Sequence, residues 1–178
     1  MRRMRVRFWA KEGDPFVAAA AVLAVGAGAA FGLVGWALGV AALAFMLNFF
    51  RDPERAPEGA GLLAPADGKV VRAEPGRVDI FMNVFDVHVN RAPISGRVER
   101  LRYQPGRFLN AAKDEASAAN ERVELAIRTD DGQAVELALI AGLLARRIVP
   151  YCAAGDRVRR GERIGMIRFG SRVDCRFP

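Results

Sequence analysis

The distribution of apolar and polar positions divides the chain in two. From Phe16 to Phe50 no residue is charged, whereas the remainder alternates short apolar runs with charge and turn residues. As one straight helix the uncharged stretch would be about 52 Å long, against a hydrocarbon core of about 30 Å. Gly26, Gly28, Gly32, Gly35 and Gly39 offer a break near its middle. The pattern therefore favours a membrane-embedded helical hairpin, or a re-entrant pair, over a single span. Arg2, Arg3, Arg5, Arg7 and Lys11 precede the stretch and Arg51 and Arg55 follow it, as expected of a hairpin with both ends in the cytoplasm. The run is too long for a cleaved signal peptide, and no small-residue cleavage site accompanies it. The expected organisation is a basic juxtamembrane segment at 1–15, an anchor at 16–50, a linker rich in proline, glycine and charge at 51–61, and a β-rich domain at 62–178.

Within that last region the period changes from helical to alternating. Ala66-Asp67-Gly68 is a turn signal between Leu62-Leu63-Ala64 and Lys69-Val70-Val71, and residues 77–89 alternate as one long strand would. Val123, Leu125 and Ile127 share one face. After Asp130-Asp131-Gly132, Val135, Leu137 and Leu139 do the same, which predicts a hairpin. Residues 113–120 are the one short helical stretch expected there. Turn residues recur between β-branched ones from Gly155 to Ile167, a spacing that biotinyl and lipoyl carrier barrels also use. The fold class expected is mainly β (α+β), with barrel-sandwich-like hairpins after the membrane-embedded helical hairpin.

Composition narrows the partners. The 178 residues carry a formal net charge of +7, and 24 of the 27 basic residues are arginine, which suits bidentate contact with phosphate or carboxylate. The basic residues before Phe16 face only Glu12 and Asp14, a cluster attracted to an anionic leaflet. Nucleic-acid binding lacks the basic-aromatic interleaving or module that would support it. Cys152 and Cys175 form no CxxC and read as thiols of a reducing compartment. His88 is the only histidine, so no multi-histidine metal site is expected.

The chemistry-bearing segments are Phe50-Arg51-Asp52-Pro53-Glu54-Arg55, Pro65-Ala66-Asp67-Gly68, Asp86-Val87-His88-Val89-Asn90-Arg91-Ala92-Pro93, Asn120-Glu121-Arg122 and Phe169-Gly170-Ser171-Arg172. In this order they resemble the short bacterial and archaeal phosphatidylserine decarboxylase proenzymes, over residues 16–174. The resemblance implies that phosphatidylserine is decarboxylated to phosphatidylethanolamine through a Schiff base to a pyruvoyl group that the chain makes from Ser171, with no metal. Ser171 Oγ would attack the Gly170 carbonyl to give an ester. β-Elimination would then release the upstream chain as a carboxylate, and the remaining dehydroalanine would hydrolyse to pyruvoyl with loss of ammonia. A carbonyl sink of this kind is what an amino-acid decarboxylation needs, and the chain shows neither a Schiff-base lysine nor a phosphate loop for pyridoxal phosphate.

Glycine before the serine removes a Cβ that would crowd the attack. His88 is the expected base, as its unperturbed pKa lies near neutrality, and Asp67 is expected to orient its imidazole, with Asp86 the competing partner. Many relatives have a second histidine where this chain has Arg91. Arg91 and Arg107 are candidates for the substrate phosphate. The implied partners are the phospholipid, the bilayer, and the large and small subunits of the cleaved chain; self-association is left open. The implied location is the bacterial inner membrane, with the catalytic domain cytoplasmic. The chain ends at Pro178, earlier after the serine than relatives do, so a truncated inactive relative is one alternative. A non-catalytic, membrane-anchored barrel adaptor is the other, although Lys11, Lys69 and Lys113 do not sit at a carrier hairpin tip.

Overall fold

The sharp change of pattern near Phe50 is a change of architecture. The computed structural model describes residues 7–143 and 147–178; Arg2, Arg3 and Arg5 of the expected basic cluster lie outside them. The chain forms two compact units, Met1–Glu54 and Arg55–Pro178.

The first unit is one apolar helix, α1 (Asp14–Phe49), broken at Gly32, where φ is +58°. Only glycine takes that backbone conformation without steric cost. The residues before and after the break lie against each other. A Cβ on Gly35 would strike the Ala27 carbonyl, one on Gly39 would strike Ala24, and one on Gly28 would strike the Trp36 ring. Small residues at these positions let the two backbones approach closely. The ends of the unit are tied together outside α1: Trp9 and Arg51 form an antiparallel bridge, and Ala10 N donates to Phe50 O at 2.8 Å. Phe16 and Phe50 stack with centroids 5.2 Å apart. Arg51 Nη1 donates to Asn48 O at 2.7 Å and caps carbonyls that α1 leaves open. Val22, Leu23, Phe31, Leu33, Val34 and Leu38 point outward.

The second unit is mainly antiparallel sheet. Its strands are β1 (Lys69–Glu74), β2 (Arg77–Met82), β3 (Val89–Arg91), β4 (Gly96–Gln104), β5 (Arg122–Arg128), β6 (Ala134–Ala141), β7 (Arg147–Pro150), β8 (Arg157–Val158), β9 (Arg163–Arg168) and β10 (Ser171–Arg176), with one helical turn and a half, α2 (Asp114–Ala119). Seven strands form one sheet in the order β1-β2-β10-β6-β5-β4-β8, and three form another in the order β3-β9-β7. Val123, Leu125, Ile127, Leu137 and Leu139 of the larger sheet share a core with Ile148, Ile164 and Ile167 of the smaller. The hairpin expected around Asp130-Asp131-Gly132 is β5–β6, with Gly132 at φ +89°.

The single strand expected over residues 77–89 is instead two strands in different sheets. Asn83 breaks it: its Oδ1 accepts from Phe85 N and its backbone N–H donates to Asp86 Oδ2, both at 2.8 Å. These local bonds offer the backbone a turn in place of the ladder.

Candidate active site

The alternation of β10 gives its two faces different characters. Ser171, Val173 and Cys175 stand opposite Met82, Ile80 and Val78 on β2 and opposite Ala141, Leu139 and Leu137 on β6, so they share the apolar face. Arg172, Asp174 and Arg176 occupy the other face. Ser171 is completely buried at the first position of a central strand, and its Oγ lies 3.9 Å from Met82 Sδ.

What precedes Ser171 is a corner between sheets. β9 belongs to the three-stranded sheet and β10 to the seven-stranded one, and only Phe169 and Gly170 separate them. Both have positive φ, +63° and +68°. Glycine takes this conformation freely, but for phenylalanine it costs on the order of 1–3 kcal/mol. Strain is thus held one residue before the Gly170–Ser171 peptide. A Cβ at Gly170 would meet nothing within 4 Å, so the space an attacking group needs is present on that side. On the other side Gly142 lies so close that any Cβ there would collide with the Gly170 carbonyl oxygen.

His88 immediately precedes β3 and is also completely buried. Its backbone carbonyl accepts from Ile167 N at 3.2 Å, which ties it to the strand leading into Phe169-Gly170. Its Nδ1 lies 3.0 Å from the backbone carbonyl of Asp86. Asp86 therefore meets the imidazole through its main chain, while its carboxylate accepts from Asn83 N. Asp67 is held in a bidentate pair by Arg55. Arg91 is buried and donates from Nη1 to Gly161 O at 3.0 Å, whereas Arg107 is exposed beside Asn120, with which it forms a parallel bridge.

Several residues of the site escape a reading of the sequence. Asn120 is buried, and its Nδ2 donates to Ala141 O at 2.7 Å and Leu109 O at 2.9 Å, while its Oδ1 accepts from Leu109 N. It thereby pins the residue that faces Ser171 across β6; its place in the Asn-Glu-Arg motif was the available signal. Met82 and Gly142 carry no sequence signal, and the positive φ of Phe169 has none beyond that residue's place in the Phe-Gly-Ser-Arg motif.

Behind Ser171, on the opposite face of β10, three arginines and three aspartates form one network. The Arg172 side chain, wholly inaccessible, reaches Asp79 and Asp174 at 2.6 Å each and Asp114 at 3.5 Å. Arg77 bridges Asp79 and Asp174 at 2.9 and 3.2 Å, and Arg72 bridges Asp79 and Asp114 at 3.3 and 3.1 Å. Ser117 of α2 donates to Asp174 as well. Burial works against the charge of Arg172, yet Asp174 and Asp79 hold its pKa above the ordinary arginine value. Arg72 draws the Asp114 carboxyl below the usual range. A cavity of about 390 Å³ lies beside this network, lined by Arg100, Arg122, Glu136 and Asp174 among others. Its polar lining comes from the face of the sheet opposite Ser171.

The half-buried Gly170 followed by the fully buried Ser171, with small neighbours at Ala141 and Gly142 and a histidine tied to the preceding strand, fits a prosthetic group made from the chain itself. A carbonyl at that position would supply the electron sink that a decarboxylation requires.

The family model described as phosphatidylserine decarboxylase matches residues 42–178. Proteins named phosphatidylserine decarboxylase proenzyme are similar along nearly the whole chain: one from Aromatoleum aromaticum is 48% identical over 95% of this chain and 84% of its own length. Those from Burkholderia mallei and Ralstonia pickettii are 46% and 45% identical with the same coverage.

Proposed function

The chain belongs to the phosphatidylserine decarboxylase family, and from that premise we propose that it matures by breaking its own Gly170–Ser171 bond and acts on lipid held at a membrane surface. It decarboxylates phosphatidylserine to phosphatidylethanolamine. The observation that carries the maturation step is the sheet-to-sheet corner. Phe169 and Gly170 both have positive φ, and the next residue is a fully buried serine.

In this reading Ser171 is the nucleophile and the source of the pyruvoyl group, and His88 is the base. The bond from Ile167 N to His88 O supports the pairing of His88 with the cleavage corner. The Asp86 carbonyl at Nδ1 supports a tautomer that leaves Nε2 to receive a proton. Asp67, its carboxylate fixed by Arg55, is proposed to support the imidazolium through its charge, while the Asp86 carbonyl at Nδ1 orients the ring. Arg107, being exposed, suits the substrate phosphate better than Arg91, whose Nη1 is engaged by Gly161 O.

The break at Gly32, the close approach of its flanking residues and their outward apolar side chains support a membrane-embedded hairpin. Each leg of α1 is about 26 Å long, close to the thickness of the hydrocarbon core. Trp9, with Arg7 5.6 Å from its ring, and Arg51 at the tied ends match the residues that favour a membrane interface. Both ends then lie on one side, in the cytoplasm of a bacterial cell. The core shared by the two sheets supports a barrel-sandwich-like arrangement.

Mass spectrometry of the purified protein tests the maturation step. Two fragments are expected, one ending at Gly170 and one beginning with a keto-blocked residue 171. An intact chain of 19.4 kDa would overturn it.

A further inference from the structure

Met82 ends β2 inside the core, and polar side chains from both sheets converge on its sulfur. Ser171 Oγ approaches from β10 at 3.9 Å and Asn90 Nδ2 from β3 at 3.7 Å. A thioether is a weak acceptor, so neither group gains a full hydrogen bond from it. Asn90 is completely buried, and its Oδ1 has no hydrogen-bond partner among the described residues.

A buried amide oxygen without a donor is rare in native proteins, because desolvation is then uncompensated. Leucine has the same branched side chain of four heavy atoms, though a larger one, and carries no such penalty. The two poorly satisfied groups are complementary. Ser171 has a hydroxyl proton directed at a weak acceptor, and Asn90 has an acceptor without a donor. Both lie within reach of one sulfur atom, and Asn90 is two residues beyond His88 on the chain segment that pairs with β9.

We propose that Asn90 is a positioning residue for self-cleavage: its Oδ1 accepts the Ser171 hydroxyl and draws it from Met82 into the rotamer that attacks Gly170. This rests on the maturation step proposed above. In that step the hydroxyl proton leaves its hydrogen bond to Asn90 Oδ1 for the base as the Ser171 Oγ–Gly170 C bond forms and the carbonyl pair moves onto oxygen. Collapse then breaks the Gly170 C–Ser171 N bond, and the nitrogen recovers the proton from the base. An ester and a free amine result, with no other reactant. The carboxamide gains and loses nothing; it fixes where Oγ stands when the bond forms, and such placement governs rates steeply.

The test follows cleavage of the full chain, synthesised in a cell-free system with detergent, by gel and mass against time. Asn90→Leu is expected to slow cleavage roughly 10- to 100-fold. Asn90→Asp, which keeps an acceptor oxygen, should retain more of the rate than Asn90→Leu. Thermal unfolding is compared in the uncleavable Ser171→Ala background, where Asn90→Leu should leave Tm unchanged or raised, since it removes the unpaired oxygen. Cleavage of Asn90→Leu at the wild-type rate overturns the proposal. So does a fall in Tm that accounts for the lost cleavage, which would make Asn90 a structural residue. If the wild-type chain itself does not split between 170 and 171, the maturation step fails instead, and the two failures are told apart.

Discussion

Gly142 and the carbonyl of Gly170 are in such close approach that a single methyl group at 142 cannot be accommodated. Gly142 follows Ala141, the residue that faces Ser171 on β6, so the contact lies beside the bond proposed to break. The Gly142→Ala side chain would meet backbone atoms of Gly170 on one side and Ala111 Cβ, at 3.2 Å, on the other. Relief requires the Phe169-Gly170 corner to move. Self-cleavage should fall roughly 100-fold, and stability by about 1–3 kcal/mol. Gly26→Ala, where a Cβ meets nothing within 4 Å, should cleave normally. Equal cleavage by the two variants, followed by gel, would separate the Gly142 contact from the chemistry.

Ser171→Ala should leave the chain whole and without decarboxylase activity, because no hydroxyl remains to form the ester. His88→Ala should slow maturation by about 10² to 10⁴ if the imidazole takes the serine proton. Asp67→Asn should show a milder defect of the same kind. Time courses of fragment formation measure all three, and unchanged kinetics in His88→Ala would remove it from the mechanism.

The arginine–aspartate network behind Ser171 should matter for stability more than for chemistry. Replacing Asp79 by alanine removes the carboxylate that Arg172, Arg77 and Arg72 share and leaves the wholly buried Arg172 and its neighbour Arg77 with Asp174 as their one common counter-ion. Losing one partner of a buried pair costs about 3–5 kcal/mol, so Asp79→Ala should lower Tm sharply. Asp114, exposed at the edge of the same network, should matter far less. A denaturant titration of both variants in the Ser171→Ala background decides this.

Burial, with a contribution from Asp79, pushes the Cys175 thiol up to about 12. The folded pKa is raised above the ordinary thiol value of 9.0, so its contribution to stability is complete below pH 9 and is lost as pH rises toward 12. Cys175→Ala should flatten that alkaline decline, measured by denaturant midpoint against pH. In the native protein Cys175 should resist alkylation, since the thiolate is the reactive form, while half-buried Cys152 reacts first.

Removing the first unit, residues 1–54, takes away α1 and leaves every residue proposed to carry the chemistry. The remainder should stay soluble without detergent and still cleave between Gly170 and Ser171. Turnover of long-chain lipid in bilayers should drop more than turnover of detergent-dispersed lipid. Retention of the truncated chain in the membrane fraction after a high-salt wash would show that α1 is not the principal anchor.

The sequence by itself determined what depends on local pattern. The uncharged run from Phe16 to Phe50 required a long apolar helix, with glycines where a break could form. The alternation of Val123, Leu125 and Ile127 with Val135, Leu137 and Leu139 around Asp130-Asp131-Gly132 required β5–β6, because strand period and turn chemistry are properties of neighbouring residues. The ordered motifs singled out Ser171 and His88. Tertiary structure alone decided the rest. Asn83 divided the expected strand over residues 77–89, since its local hydrogen bonds competed successfully with the ladder, and so sent Met82 and Asn90 into different sheets. No pattern near Ser171 announces Met82, Asn90 or Gly142, which lie 89, 81 and 29 positions away along the chain. Their meeting is fixed by the register of β10 between β2 and β6 and by the corner at Phe169-Gly170. Long-range register is set by packing the whole apolar face at once, and no local stretch of sequence contains that information.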